Sequence, residues 1–372
     1  MSAALTMPLQ IKVQPSLRKQ WEARYAMVDA SRGLAALGVV CYHLGLRVGS
    51  DFDLGHACVM VFFVISGYCI AASTDSCQRN QVGPRAYMWR RVRRIYPPYF
   101  FSLCFFAATR LVKFEVGLGS QLSTSPVTWI NNLTMTQWLH MVFHPARHPF
   151  DNPSLFVAGY WSLNYEEQFY LVMGIIVFSA TYFKKSMLAP IVALMLGSFV
   201  WNLTHPFTYH GFFWEYWIPF ALGALVFNRL CKIQNRRVSA SIDLGILALL
   251  LFSSYRYYSS NTWSARWLYT EWILTCTFAL MLIYLRSWDT QFRDSRFGVA
   301  LGTLGLISYS LYLTHQFNLR ASSIVASRLI HLGLPQFSEF FLRLIFSCAV
   351  ATIFWFFCER PFLNKPLGTY RL

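Results

Sequence analysis

The stretch Met27–Leu46, MVDASRGLAALGVVCYHLGL, is an apolar segment that contains the ionisable side chains of Arg32 and His43. A charge or an imidazole in hydrocarbon costs about 2–3 kcal/mol or more, so it is rarely kept there without a function. In a helix, eleven residues turn through about 1100° and rise about 16 Å, which leaves both side chains on one face. The segment therefore predicts a membrane-spanning helix whose inner face suits an anion at one depth and proton chemistry at another.

The composition of the whole chain indicates a membrane protein. Of its 372 residues, 55% are hydrophobic and 13% are charged, whereas about 25% of the residues of a soluble domain are charged. The chain has 32 Lys and Arg against 16 Asp and Glu, a formal net charge of +16. We assign this excess to short cytoplasmic loops and not to a nucleic-acid partner, because basic residues collect on the cytoplasmic side of membrane proteins. The expected partner of the apolar surface is the lipid bilayer.

About ten apolar runs are long enough to cross the roughly 30 Å of hydrocarbon in a bilayer. They lie at 27–47, 54–73, 95–113, 161–183, 186–202, 212–228, 240–258, 266–286, 297–316 and 337–357. With the N-terminus in the cytoplasm, every loop on that side is basic. Those loops are 74–94, 184–185, 229–237 and 286–296. The sequence thus predicts an all-α, polytopic membrane helix bundle of about ten transmembrane helices, with both termini cytoplasmic.

The predicted organisation is one membrane domain at residues 27–362. A cytoplasmic segment at 1–26 precedes it, and a cytoplasmic tail at 363–372 follows it. The long external segment 114–160 is expected to form a short helix at the outer interface within Trp129–His148.

Three histidines of that external segment recur at helical spacing, at His140, His144 and His148. Pro145 and Pro149 would break the helix that aligns them as ligands. We therefore expect no metal site there.

An arginine cluster, Arg90-Arg91-Val92-Arg93-Arg94, begins the third predicted span at its cytoplasmic end. Arginine offers a planar fork of donors that stays charged, so guanidinium groups beside a membrane cavity suit phosphate groups. Arg91 and Arg94 are three residues apart and share a helical face. Ordinary charge anchoring remains an alternative for Arg90 and Arg93.

The opposite, outer level is expected to hold His43 with several polar residues. Glu166 lies near the outer start of the fourth span, and Tyr312 and His315 lie near the outer end of the ninth. Asp51 and Asp53 follow His43 in the first external turn, where either one orients the imidazole or is simply solvated. A histidine with a nearby carboxylate is the minimum for a general base near neutral pH. A structural histidine bonded to a neighbouring helix remains the alternative for His43 and for His315.

Six motifs in order resemble the acyltransferase-3 family, the membrane O-acetyltransferases that modify bacterial surface and exported glycans. They span residues 27–362 and are Asp29-Ala30-Ser31-Arg32-Gly33 with His43 at R-x10-H spacing, Val61–Tyr68 (VFFVISGY), Arg90–Pro97 (RRVRRIYP), Tyr160–Tyr170 (YWSLNYEEQFY), Ile307–His315 (ISYSLYLTH) and Glu359–Phe362 (ERPF). Two departures from the family pattern touch packing or substrate fit: Cys58-Val59-Met60 replaces a glycine-rich pair, and Thr314 stands where the family often has Trp.

The resemblance implies roles for individual residues. It makes His43 the catalytic histidine and Arg32 its R-x10-H partner, and it assigns Arg91 and Arg94 to the acyl donor. It also matches Glu166 to the glutamate of the W-S-L-x-x-E motif.

We add further expectations to these roles. Asp53 and Glu166 are expected to assist His43 in catalysis, and Arg90 is expected to contribute to donor binding. Tyr312, His315 and Trp161 are expected to bind the acceptor.

The residues and the resemblance lead to one hypothesis. Acyl-CoA, by family default acetyl-CoA, binds from the cytoplasm with its phosphates on Arg91 and Arg94, and its pantetheine arm reaches up to His43. His43 then deprotonates a hydroxyl of an exported or lipid-linked glycan, such as O-antigen or exopolysaccharide, or takes the acyl group itself first. The expected location is the bacterial cytoplasmic (inner) membrane, and a homo-oligomer is compatible with the sequence. A flippase of an anionic glycan or lipid, and a non-catalytic sensor of CoA thioesters, are the alternatives.

Overall fold

The computed structural model describes residues 25–48, 52–115, 117, 123, 125–183, 186–205 and 209–363. The predicted cytoplasmic segment 1–26 and tail 363–372 lie almost wholly outside these residues, as do Asp51 and the basic pair Lys184-Lys185. Within the described part of the chain there is no β-sheet, only an isolated bridge between Ala146 and Tyr209. The prediction of an all-α fold is therefore confirmed.

Thirteen α-helices form the described structure. They are α1 (Ala26–His43), α2 (Leu54–Arg79), α3 (Pro84–Glu115), α4 (Pro126–Thr134), α5 (Trp138–Phe143), α6 (Trp161–Tyr182), α7 (Leu188–Thr204), α8 (Trp217–Cys231), α9 (Arg236–Ser259), α10 (Trp263–Tyr284), α11 (Asp289–Asp294), α12 (Arg296–His331) and α13 (Glu339–Phe354). A π-helical turn, Trp355–Glu359, and a 3-10 turn, Arg360–Phe362, follow α13.

Six of these helices, within the described residues, are long and apolar enough to cross a membrane: α2, α3, α9, α10, α12 and α13 with its flanking turns. The other four predicted spans also coincide with helices, namely α1, α6, α7 and α8. The 17-residue α7 is apolar but shorter. The count of about ten spans and the cytoplasmic position of both termini stay predictions.

Two helices extend well beyond the spans predicted from hydropathy. Helix α3 begins at Pro84, so the arginine cluster lies within the helix and not in the predicted loop 74–94. Helix α12 continues to His331, fifteen residues past the predicted end at 316. Hydropathy misses both extensions because charged and polar residues continue the helices beyond their apolar runs.

Capping side chains explain where several helices begin. Asp53 accepts a hydrogen bond from the backbone N–H of His56 at the start of α2, at 2.8 Å. Ser295 does the same for Gly298 at the start of α12, at 2.9 Å. Such caps satisfy backbone donors that have no partner inside the helix. Asp53 is therefore fixed at the end of α2 that adjoins the C-terminal end of α1.

The core holds α2 and α8 in close contact through two glycines. A Cβ at Gly67 would lie 1.9 Å from the carbonyl oxygen of Phe220, and a Cβ at Gly223 would lie 1.8 Å from that of Val64. Small residues let helix backbones approach in this way in membrane proteins. The side chains around this crossing, including Phe63, belong to the main hydrophobic cluster.

The substitution Gly223→Ala is expected to destabilise the protein by about 1–3 kcal/mol, because the new methyl group meets a backbone carbonyl that cannot move aside cheaply. Gly245→Ala in α9 is the matched control, since nothing lies within 4 Å of its Cβ position. Replacing an interior helical glycine with alanine there should be neutral or stabilising by up to about 1 kcal/mol. Thermal unfolding in detergent measures both, and equal stability of the two variants would contradict the close crossing.

Candidate active site

A cavity of about 310 Å³ lies between α1, α2, α3, α6 and α12. Five residues singled out from the sequence line it together: Arg32, Arg91, Arg94, Glu166 and Tyr312. They come from four different helices, so only the tertiary structure brings them together. Much of the remaining wall is apolar, which suits an extended organic ligand with a few polar groups.

Arg32 is held in the cavity wall by neighbours on α1 and α2. Its Nη2 donates to the Sγ of Cys69 at 2.8 Å. Its Nη1 lies 3.8 Å from the carboxylate of Asp29, one turn earlier in α1. The Arg32 side chain is only 20% exposed, so its charge faces the bundle interior.

Arg91 and Arg94 line the cavity from α3, on the shared face that their spacing predicts. The guanidinium of Arg91 lies 5.5 Å from the ring centre of Tyr87 and 5.4 Å from that of Tyr170. Such cation–π contacts hold a guanidinium in place without neutralising it. Arg90 does not line this cavity, although it belongs to the same cluster.

Glu166 lies at the level of Arg32 and not at that of His43. Its carboxylate accepts hydrogen bonds from Ser66 at 2.9 Å and from Tyr170 at 2.5 Å. Ser66 lies one helical turn from Cys69, the partner of Arg32, and about 20 Å along α2 from Asp53 at 1.5 Å per residue. This corrects the expectation that Glu166 shares the depth of His43.

Glu166 lies deeper than expected because of the position of Trp161, the first residue of α6. Trp161 is 6% exposed, and its ring stacks on His56 with the ring centres 5.6 Å apart. Helix α6 therefore starts inside the bundle, and Glu166 lies correspondingly deeper. Trp161 itself packs in the core and lines neither this cavity nor the smaller one beside His56.

Two further carboxylates, those of Glu167 and Glu359, line the same cavity, although no role was predicted for either. Glu167 accepts a short hydrogen bond from Tyr96. Glu359, in the π-helical turn after α13, is 2% exposed and accepts a hydrogen bond from Ser310 at 2.5 Å. The signal for Glu359 was a lone acidic residue at the end of an apolar run, inside a recognised motif. Three guanidinium and three carboxyl groups thus share one cavity wall.

His43 lies outside the lining of this cavity and packs against His315. The two ring centres are 4.8 Å apart. The Nδ1 of His315 donates to the carbonyl oxygen of Tyr312 at 2.6 Å, because a carbonyl can only accept. In the neutral ring the lone pair is then on Nε2, which is buried and has no hydrogen-bond partner among the described residues.

Tyr312 connects the histidine pair to the cavity. Its carbonyl holds His315, while its hydroxyl forms a 2.9 Å hydrogen bond with Ser162 and a short one with the Gly159 carbonyl. Tyr312 lines the cavity and is 7% exposed. Tyr312 therefore links the arginine level to the histidine level.

Asp53 contacts the neighbour of His43 in the chain. Its Oδ2 accepts a hydrogen bond from the Tyr42 hydroxyl at 3.1 Å, and its Oδ1 accepts from the His56 backbone. Within the described ranges no hydrogen bond joins His43 to a carboxylate, neither to Asp53 nor to Glu166. Instead the ring of His315, a residue predicted to bind substrate, adjoins that of His43.

A family model described as an acyltransferase domain matches residues 25–360 of the chain. YrhL of Bacillus subtilis, whose name describes a peptidoglycan O-acetyltransferase, is 27% identical over 92% of this chain and 55% of its own length. The exopolysaccharide production protein ExoZ of Rhizobium meliloti is 26% identical over 87% of this chain and 94% of its own. The O-acetyltransferase OatA of Staphylococcus aureus is 28% identical over 43% of this chain and 26% of its own length.

The chain therefore spans about half the length of YrhL and about a quarter of that of OatA, but nearly all of ExoZ. No solved structure matches the chain.

The substitution Ser310→Ala is expected to lower the free energy of unfolding by about 1–3 kcal/mol, because the buried carboxyl of Glu359 loses its hydrogen bond. Ser241→Ala is the matched control: Ser241 is exposed and its hydroxyl bonds only to the carbonyl of Arg237 in its own helix. Thermal unfolding in detergent compares the two. A loss of stability as large in the Ser241 variant would show that the Ser310–Glu359 contact has no special weight.

Proposed function

Because the chain belongs to the acyltransferase-3 family, we propose that it transfers an acyl group, most simply acetyl, from cytoplasmic acyl-CoA to a hydroxyl of an exported or lipid-linked glycan. The proposed location is the bacterial cytoplasmic membrane. The observation that carries this proposal is the clustering of Arg32, Arg91 and Arg94 in one cavity that Tyr312 links to the His43–His315 pair.

The cavity suits the donor for two reasons. Arg91 and Arg94 present guanidinium groups from consecutive turns of α3, and such groups bind phosphate oxygens through charge-assisted hydrogen bonds. The apolar stretches of the wall, such as Phe62, Ile95 and Leu306, suit the pantetheine arm. In this arrangement the phosphates lie at the arginine level and the thioester points towards Tyr312.

The polar contacts of Glu166 and Glu359 support the same arrangement. Each of these carboxylates already accepts a hydrogen bond from a neighbouring hydroxyl. They offset part of the positive charge of the cavity wall, which limits the cost of burying three guanidinium groups in hydrocarbon. The arginines are thereby kept charged and in position for an incoming anion.

The histidine pair supplies the proton chemistry. In the proposal, His43 is neutral beside His315, and one of its ring nitrogens carries a lone pair. That nitrogen takes the proton of the glycan hydroxyl while the hydroxyl oxygen attacks the thioester carbonyl. The C–S bond breaks, and the CoA thiolate leaves with the proton returned by His43. The ester is formed, and no other reactant is needed.

His43→Ala is expected to abolish acetyl transfer, with a fall of about 100-fold or more, because general-base catalysis contributes about 10²–10⁴-fold. His331→Ala, at the exposed end of α12, is the matched control and should keep normal activity. The measurement is the mass of glycans from cells that express each variant. Loss of glycan export with the acetyl group retained would favour a flippase and contradict the proposed transfer.

Arg91→Ala and Arg94→Ala are each expected to weaken acyl-CoA binding by about 1–3 kcal/mol, since each removes one charge-assisted contact to phosphate. Arg85→Ala is the control, because Arg85 is exposed on the same helix and does not line the cavity. Binding of radiolabelled acetyl-CoA to protein in lipid nanodiscs gives the affinities. If neither cavity variant binds more weakly than the Arg85 variant, the donor phosphates are not held here.

A further inference from the structure

A second cavity, of about 110 Å³, lies between the start of α2 and the facing ends of α9 and α10. Its wall is unusually aromatic, with Tyr257, Trp263 and Trp267 beside His56 and Glu271. Asp53 lines it as well, so it adjoins the end of α1 that carries His43. Neither the sequence motifs nor the donor cavity accounts for these residues.

A buried histidine–glutamate pair, His56 and Glu271, lines this second cavity. The Nε2 of His56 donates to Oε1 of Glu271 at 2.5 Å, and the Nε1 of Trp267 donates to the same oxygen at 2.9 Å. Glu271 is 6% exposed and His56 is 7% exposed. Because buried ionisable residues in apolar helices are costly, this pair indicates a function.

Two polar atoms of the pair remain unused. The Nδ1 of His56 is buried and has no hydrogen-bond partner among the described residues. The second carboxylate oxygen of Glu271, Oε2, also accepts no hydrogen bond within the described part of the chain. Buried polar groups are nearly always satisfied, so the unpaired Nδ1 of His56, with the free Oε2 of Glu271 beside it, points to a ligand that donates hydrogen bonds.

The aromatic side of the cavity defines the shape of that ligand. The rings of Trp263 and Trp267 are 5.2 Å apart at 41°, and Trp263 is 53% exposed, so the cavity opens to the surface there. A sugar ring has an apolar C–H face that stacks on indole rings and a rim of hydroxyl groups that donate hydrogen bonds. Arg266 also lines the cavity, and its positive charge offsets part of the negative charge of Asp53 and Glu271.

We infer that this second cavity is a saccharide subsite, in which Trp263 and Trp267 stack on a sugar ring and Glu271 and His56 accept hydrogen bonds from its hydroxyls. Its designation as the acceptor subsite rests on the proposed function. Asp53 then links the two sites: it lines the saccharide subsite and bonds to Tyr42, which adjoins His43. The subsite deepens the proposal by naming where a neutral sugar of the glycan is held.

The test measures sugar binding in the absence of any acyl donor. The full chain in lipid nanodiscs is titrated with chitotriose and with maltotriose, and saturation-transfer NMR gives the dissociation constants. Trp263→Ala and Glu271→Gln are each expected to raise the dissociation constant by about tenfold or more, as for a truncated contact at the centre of a binding site. Trp288→Ala removes a tryptophan that is 62% exposed and lines neither cavity, and it should bind like the unmodified protein.

The other outcomes are equally informative. Trp263 is exposed, so its variant should fold even if the Glu271 variant does not, and thermal unfolding checks both. Absence of saturable binding to either sugar, unchanged affinity in the Trp263 variant, or preferential binding of tetramethylammonium would overturn the saccharide subsite. Weaker acetyl-CoA binding in the Trp263 variant would contradict the inference that the saccharide subsite is separate from the donor cavity. Sugar binding at this cavity without any acetyl transfer by the unmodified protein would refute the acceptor role and the proposed function, and leave the sugar site standing.

Discussion

The packing of α1 against α12 fixes the positions of both Arg32 and the His43–His315 pair in the site. A Cβ at Gly33 would lie 2.7 Å from the backbone nitrogen of Gly305, and a Cβ at Gly305 would lie 2.2 Å from the carbonyl oxygen of Asp29. Ten residues further along each helix, the rings of His43 and His315 adjoin. The two helices therefore run in the same direction and in register.

This register explains why an arginine and a histidine can occupy one apolar helix. Arg32 precedes Gly33, which contacts α12, and its side chain donates a hydrogen bond to Cys69 on α2. His43 meets a histidine whose own Nδ1 is fixed by the Tyr312 carbonyl. Each costly polar group of α1 thus finds a partner on a different neighbour, as buried ionisable groups in a membrane require. Arg32 and His43 belong to one helix, but they have different neighbours and therefore different chemical surroundings.

A good part of the site could be predicted from the sequence. The motif and the helical spacing identified Arg32, Arg91, Arg94, Glu166 and Tyr312, and all five line one cavity. The separation of Glu166 from His43 could not be predicted, because the depth of Glu166 depends on where α6 enters the bundle. His56 and Glu271 are 215 positions apart in the chain, and nothing in the local pattern relates them. Their single signal was the presence of an ionisable residue in an apolar run.

The sequence by itself determined that the chain is an all-helical membrane protein with an arginine and a histidine on one helical face. Hydropathy and helical periodicity are local properties, so they can be read from consecutive residues. Only the tertiary structure decided which polar groups meet: Glu166 with Ser66, His43 with His315, and His56 with Glu271. Those contacts depend on the register and relative depth of helices far apart in the chain, and glycine crossings such as Gly67–Gly223 set that register through backbone contacts that no residue pattern specifies.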